Sequence, residues 1–198
     1  MIDQDTERPT EQHVWNEAAD RTEDPAIKRN PAHVLVTKAA KRGTKGRTFQ
    51  FMRVLSINPR LFRPYISWNS RMMPRGKLPR QQTEAVIIRT AWICGSVYEW
   101  TQHKAVGRGV GLTKQQVEAA GPNPESDLFD DQTKLLLAAI PELLEDHILS
   151  DETYEALRAF LSPALILEFI MLVGTYTALA GALNTFGVPL EDAWHKGK

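Results

Sequence analysis

Apolar residues recur at three- and four-residue intervals along most of the chain, and no segment alternates with period two, so the pattern predicts helices and no sheet. From Asn58 onward the starts and stops are written clearly. Asn58 is placed to cap a helix with Pro59 at its first position, and Leu61, Tyr65, Trp68 and Met72 give that helix one apolar face before Gly76 ends it. Leu78-Pro79 opens a strongly apolar helix through Val86, Ile87, Ile88, Ala91 and Trp92, and Gly95 interrupts it. Ser96-Val97-Tyr98-Glu99 has the form of a capping box, so a second helix is expected from there to about Arg108, closed by Gly109 and Gly111. Thr113 and Gln116 make another capping box for a short helix to Ala120, and residues 121–127 read as a loop. Asp130 to about His147 is expected to be one helix, bent at Pro141. Ser150 caps the next, through Leu157 and Phe160. Ser162-Pro163 caps the last, which runs to Phe186 and is closed by Gly187, with Pro189 beyond.

The earlier part is less regular. Residues 1–30 are polar and punctuated by Pro9 and Pro25; His13 to Arg21 carry a short helical pattern, but the segment reads as a mobile arm. Pro31 opens a helix to about Arg42, Gly43 to Gly46 break the pattern, and Arg47 to about Ile57 form a short amphipathic helix. The expected organisation is a polar N-terminal arm, residues 1–30, and a single all-α domain, residues 31–198. The 198 residues suffice for one such core.

Residues 163–183 are long enough to cross a bilayer, and Glu168 is their only charge. A charge near the centre of a lone span is unfavourable by roughly 2.5–3.5 kcal/mol. With no basic flanks as well, the stretch reads as a buried core helix and no membrane is expected. Gly174, Ala178 and Ala182 recur every four residues, which lets a neighbouring backbone approach within a bundle or across a subunit contact.

Charge changes the picture through its distribution. The net charge is zero, but residues 1–24 hold eight acids and two bases, and residues 25–83 hold fourteen bases and no acid. Residues 118–168 hold twelve acids against Lys134 and Arg158. The basic stretch is interleaved with Phe49, Phe51, Met52, Leu55, Ile57, Leu61, Phe62, Tyr65, Ile66 and Trp68, the pattern of packed helices. Subunit or intramolecular pairing is the leading explanation, capture of an anionic ligand the second, and nucleic acid is not expected. The single cysteine, Cys94, excludes an internal disulfide and a four-cysteine zinc site. The acidic first 25 residues lack the pattern of a signal peptide, so a cytoplasmic protein is expected.

The densest polar group in an apolar setting is Glu84, Ser96, Tyr98, Glu99 and His103. Glu99 and His103 are four residues apart and share a helix face. A carboxylate beside an imidazole raises its basicity and fixes its tautomer, as a general base requires. Glu84 lies 15 residues before Glu99, about 22 Å away on one straight helix. A turn at Cys94-Gly95-Ser96 would bring it into the same place. A capping box also explains Glu99 without any chemistry. Metal binding is not expected: Glu99 and His103 give two ligands, and neither His147 nor His195 has a spacing that adds a third.

Leu78-Pro-Arg-Gln-Gln-Thr-Glu84, then Cys94-Gly-Ser-Val-Tyr-Glu-Trp-Thr-Gln-His103, then Gly109-Val-Gly-Leu-Thr113 resembles the carboxymuconolactone decarboxylase family. That all-α group also contains the alkyl hydroperoxidase D-like proteins. Asn58-Pro-Arg-Leu-Phe-Arg-Pro and Gly187-Val-Pro-Leu fit as well, so the resemblance covers roughly residues 47–190. It implies an alkyl hydroperoxidase D-like helical bundle. The peroxidase branch has a Glu, a Cys-x-x-Cys and a His four residues after the second cysteine. Aligned on His103, the Glu falls on Glu84, but the cysteine positions fall on Ser96 and Glu99. The dithiol cycle of that branch therefore has no counterpart here, and Cys94 reads as an inert buried thiol.

The decarboxylase branch implies acid–base catalysis on a small anionic or carbonyl-bearing molecule, with no cofactor. In that reading His103 is the base or acid, Glu99 orients it, Glu84 is a second proton carrier and Tyr98 donates to an oxyanion. Arg89 and Arg63 are the arginines considered for a substrate carboxylate. The resemblance also implies a homo-oligomer, a trimer or hexamer, with sites near subunit contacts. The alternatives are a peroxidase relying on Cys94 and a non-catalytic binding or assembly protein on the same scaffold.

Overall fold

The computed structural model describes residue 15 and residues 18–29, 31, 34–35 and 49–191. Among the described residues all regular structure is helical, as the period of the apolar positions predicts. A single 3₁₀ turn, Arg21–Glu23, leads into α1 (Pro25–Lys28), followed by α2 (Gln50–Leu55) and α3 (Pro59–Met72). The central hairpin is α4 (Arg80–Ile93) and α5 (Val97–Gly109). Then come α6 (Lys114–Ala119), α7 (Asp131–Ala138), α8 (Ile140–Glu145), α9 (Asp151–Arg158) and the long α10 (Pro163–Phe186). Most of the helix expected from Pro31 to Arg42 lies outside the described residues.

The caps follow the sequence closely. Asn58 accepts from the Arg60 amide, Asp130 from Thr133, Ser150 from Thr153 and Ser162 from Leu165. The Thr113–Gln116 box forms in both directions. Gly187 ends α10 at φ 59°, where a left-handed residue is needed. Two expectations need correction. α3 ends at Met72, ahead of Gly76, and the helix expected from Asp130 to His147 is two helices. Pro141 lacks the amide that would bond back into α7, so the chain re-initiates at Ile140.

α4 is the core of the bundle. Residues 82–88 of this helix, with Thr90 and Ala91, are buried, which no amphipathic surface helix would show. It is covered by α5, α7, α8 and α10. α10 passes the length and apolarity test for a membrane span, but one face of it is packed. Phe169, Leu172, Val173, Tyr176, Leu179 and Leu183 are buried in the shared core. Its lone charge has a structural partner: Glu168 Oε1 accepts from the amides of Lys77 at 2.7 Å and Leu78 at 3.0 Å. This pins the lead-in to α4 against α10.

Over its described residues, the segment read as an arm lies against the bundle. Trp15 stands edge-on to Trp92, with ring centroids 5.4 Å apart, and tilted to Trp100 at 5.3 Å. Thr22 and Ile27 are buried. The carbonyls of Ala18 and Ala19 abut Gly187 so closely that a Cβ there would collide with them. Arg21 donates to the Thr185 carbonyl at 2.6 Å, and Glu23 pairs with Arg53 of α2 at 2.8 Å.

Candidate active site

The turn between α4 and α5 sets the geometry. Cys94 ends α4, Gly95 takes φ 60°, and the chain reverses into α5. Glu84 lies ten residues before Cys94 and His103 nine after it, so an antiparallel hairpin sets them level. His103 Nδ1 is 2.7 Å from Glu84 Oε2, and Nε2 is 3.4 Å from Glu99 Oε2. The ring is thus held between carboxylates from two helices, at 6% exposure, with the Glu84 side chain fully buried. Arg80, one turn before Glu84, donates to Glu84 Oε1 at 2.5 Å. The result is a row of alternating charge: Arg80, Glu84, His103, Glu99.

The two carboxylates are not equivalent. Both oxygens of Glu84 are engaged, one by Arg80 and the other by His103. Glu99 Oε2 lies within electrostatic reach of His103, but 3.4 Å is long for a hydrogen bond, and the oxygen is buried with no other partner in the protein. This exchanges the positions expected for the two acids: Glu84 makes the short contact that fixes the ring, and Glu99 makes the long one. The capping box expected of Ser96 and Glu99 is absent. Ser96 caps with its backbone geometry alone, its Oγ is buried without a partner, and Glu99 turns inward to His103.

Burial by itself pushes the His103 imidazole down. The hydrogen bond to Glu84, the nearby Glu99 carboxylate and the charges of both acids overcome that and raise it to about 9. At neutral pH the ring is therefore an imidazolium, the donor form and not the base.

The remaining predicted residues separate. Tyr98 does not face His103; its hydroxyl donates to Glu191 at 2.6 Å and accepts from the Phe51 amide at 3.3 Å. Burial and the adjacent Glu191 push that phenol well up. Glu191 also accepts from the Gln50 amide at 2.9 Å, so Tyr98 is a tie between α5, α2 and the C-terminal segment. Arg89 donates to the Gly121 carbonyl, with Glu125 as its nearest charge influence, and does not join the site. Arg63 is exposed on α3. The guanidinium at the site is that of Arg80.

Sequence reasoning missed Tyr65, Asn69 and Tyr176. The Tyr176 ring stands edge-on to His103 at 5.0 Å. Tyr65 Oη and Asn69 Oδ1 on α3 are buried without partners, and the Asn69 side chain hydrogen-bonds to Tyr176. Their signal was present as polar atoms at positions 65, 69 and 176, on helix faces otherwise assigned to the core. Cys94 is half-buried; burial raises its thiol, which hydrogen-bonds to Thr177. Among the described residues no three His, Cys, Asp or Glu side chains are arranged to hold a metal ion.

No curated protein matches the chain in sequence. The fold is shared with solved structures of low identity. A peroxidase-related protein from Silicibacter sp. TM1040 superposes at TM-score 0.73 and 12% identity, over 95% of this chain and 98% of that one. A peroxidase-related protein with an alkylhydroperoxidase AhpD core, from Ralstonia eutropha JMP134, gives 0.72 and 14%, over 93% and 97%. The debrominase Bmp8, in its complex with 2,3,4-tribromopyrrole, gives 0.66 and 13%, over 94% and 96%. Residues 59–140, from the start of α3 to the start of α8, match the carboxymuconolactone decarboxylase family model, and this segment holds Glu84, Glu99 and His103. That match spans less than half of the chain, and the bundle as a whole shares the fold of the AhpD-like structures.

Proposed function

We propose that this protein is an acid–base enzyme acting on a small carbonyl-bearing organic molecule, with Glu99 as proton acceptor and the His103 imidazolium as proton donor. The observation that supports it is the unequal pair of carboxylates on one buried ring. Glu84, engaged by Arg80 and His103, fixes the ring; Glu99 Oε2 makes no short hydrogen bond and is left to take a proton. In the step envisaged, the proton on carbon beside a carbonyl passes to Glu99 and the C–H electron pair moves onto the carbonyl oxygen. His103 gives its proton to that oxygen. Return of a proton at another carbon shifts a double bond; loss of carbon dioxide in place of the first proton transfer gives decarboxylation. A raised imidazolium suits the donor role, because it stays charged at neutral pH. A thiol peroxidase is disfavoured by chemistry: Cys94 is the single cysteine of the chain, so no second thiol closes the cycle.

The test is deuterium wash-in from heavy water into β-keto esters and unsaturated lactones, followed by NMR. Wild-type protein is expected to accelerate exchange, and His103→Gln to lose roughly 10²–10⁴-fold of it. No acceleration with any carbon acid of these classes, or equal rates in wild type and His103→Gln, sinks the reading.

Assembly belongs to the same proposal. The row of small residues expected within the bundle or at a subunit contact faces outward on α10: Gly174 and Ala178 are exposed, and Ala182 is half-buried. Leu167, Met171, Gly174, Ala178 and Gly181 form an uncharged strip at alternating spacings of four and three residues, suited to a helix of a second copy. Nothing lies within 4 Å of a Cβ built on Gly174, so Gly174→Arg is expected to dissociate the oligomer without unfolding the subunit. A monomeric wild type in light scattering would refute this.

A further inference from the structure

Three polar atoms beside the His103–Glu99 pair have no hydrogen-bond partner in the protein: Glu99 Oε2, which lies 3.4 Å from His103 Nε2, Tyr65 Oη and Asn69 Oδ1. All three are shielded from solvent, and Glu99 as a whole is 3% exposed. Buried polar groups are almost always hydrogen-bonded, so three together ask for a ligand group. They belong to one place. Tyr65 and Asn69 are one turn apart on α3 and so share a face with the buried Met72. Asn69 bonds to Tyr176, whose ring stands against His103, and the charge of Glu99 is felt at both Tyr65 and Tyr176. Trp68 Nε1 donates to Thr175 Oγ1 at 2.9 Å, which locks α3 onto α10 beside this group.

The donor and acceptor inventory describes the ligand. Glu99 Oε2 and Asn69 Oδ1 only accept; the Tyr65 hydroxyl gives one hydrogen bond and takes another. Satisfying them takes two donors and at least one acceptor from the ligand. Charge narrows it further. Arg80 is matched by Glu84 and His103 by Glu99. Arg80 Nη1 also lacks a hydrogen-bond partner, but its charge is already balanced by Glu84 at 2.5 Å. A carboxylate here would be a third negative charge against two positive ones, in a buried setting where an excess charge is costly. The Tyr65 and Tyr176 rings pack around these atoms, so the surroundings are aromatic.

We propose that Tyr65, Asn69 and Glu99 select an uncharged ring compound carrying two hydrogen-bond donors, hydroxyl or ring N–H, over a carboxylate. The proposal deepens the acid–base reading and rests on it for placing the substrate at Glu99. It narrows the anionic or carbonyl-bearing substrate expected from sequence to the uncharged kind, and the reaction to the double-bond shift, since decarboxylation needs a carboxylate.

The test uses the full chain at pH 7 with catechol, anisole and benzoate as probes, followed by ligand-observed NMR titration. Catechol is expected to bind at least about tenfold more tightly than benzoate, because the acid brings charge and no donor pair, with anisole weaker than catechol as well. Tyr65→Phe is expected to weaken catechol roughly three- to tenfold without changing the melting transition. If that variant fails to fold, Asn69→Ser serves in its place, with the same direction expected. Benzoate binding as well as catechol, no binding of catechol, or catechol binding unchanged in the folded variant would each overturn the proposal. The deuterium wash-in reports the acid–base step separately. Catechol selectivity without wash-in refutes catalysis and leaves the recognition site standing; wash-in with a preference for benzoate refutes the recognition site alone.

Discussion

His103 and Lys104 are consecutive residues of α5, both buried, and face two different centres. Lys104 Nζ pairs with Glu118 at 2.7 Å and lies 3.3 Å over the Trp100 ring, inside a group completed by Trp92 and by Trp15 from the arm. Its charge is closed off; the loose end there is the Trp100 indole N–H, buried without a partner. Burial lowers the Lys104 ammonium from its usual value, against the opposing pull of Glu118. At His103 the balance runs the other way: two carboxylates outweigh burial and raise the ring. Burial of a cation is therefore not the mark of a reactive site in this protein. What separates the two centres is that Glu99 Oε2 is buried without a short hydrogen bond, the feature on which the proposed acid–base role rests.

The comparison can be broken in several ways, beginning with the largest effect. His103→Gln should cost roughly 10²–10⁴-fold in deuterium wash-in, while Lys104→Met leaves the rate within about twofold; equal losses would erase the distinction between the centres. Next is stability against pH. The folded His103 value, about 9, lies above the unfolded 6.5, so the folded state holds the extra proton. The resulting stabilisation, on the order of 3 kcal/mol, is complete below about pH 6.5 and is lost as pH rises through about 9. Chemical denaturation at pH 6, 8 and 10 should show that fall in wild type and a flatter profile in His103→Gln.

Smaller effects belong to the other centre. Glu118→Ala leaves Lys104 buried without its carboxylate. Because the Glu118 side chain is 38% exposed, solvent screens part of the loss, and about 1–2 kcal/mol at pH 7 is expected. Alkaline pH should restore part of it, since a neutral amine tolerates burial. Lys104→Met, which keeps the stem over Trp100, should stay within about 1 kcal/mol of wild type. A larger loss would mean that the ion pair and ring contact stabilise more than such pairs usually do.

The helices after Asn58 were legible because their caps are local chemistry: Asn58, Thr113 with Gln116, Ser150, Ser162 and Gly187 each act on amides or carbonyls a few residues away. Glu84, Glu99 and His103 were legible as a group because one glycine, Gly95, folds their two helices together. What failed was long-range. The capping box at Ser96 had the right letters, but Glu99 has a better partner one turn along in a charge row that begins at Arg80. Tyr98 was assigned to the site by adjacency, whereas its partner, Glu191, is 93 residues away. Arg89 and Arg63 had no motif behind them, and the arginine that reaches the group, Arg80, announces itself only through its i,i+4 spacing to Glu84. Tyr65, Asn69 and Tyr176 could not be told from core residues without knowing which faces of α3 and α10 meet.

The crossing of the arm over Gly187 bears on the order in which the chain folds. Arg21 meets Thr185 across 164 residues, and the Gln50 amide meets Glu191 across 141. Contacts of such separation form slowly, since a long loop must close before any of them is gained. The α4–α5 hairpin closes over ten residues on either side of Gly95 and needs none of them. Folding is expected to assemble the His103–Glu84–Glu99 group early and to draw the two ends together last. A late intermediate would then already hold His103 between its carboxylates while Tyr98 still waits for Glu191. Pulse-labelled hydrogen exchange should find amides of α4 and α5 protected well before that of Gln50.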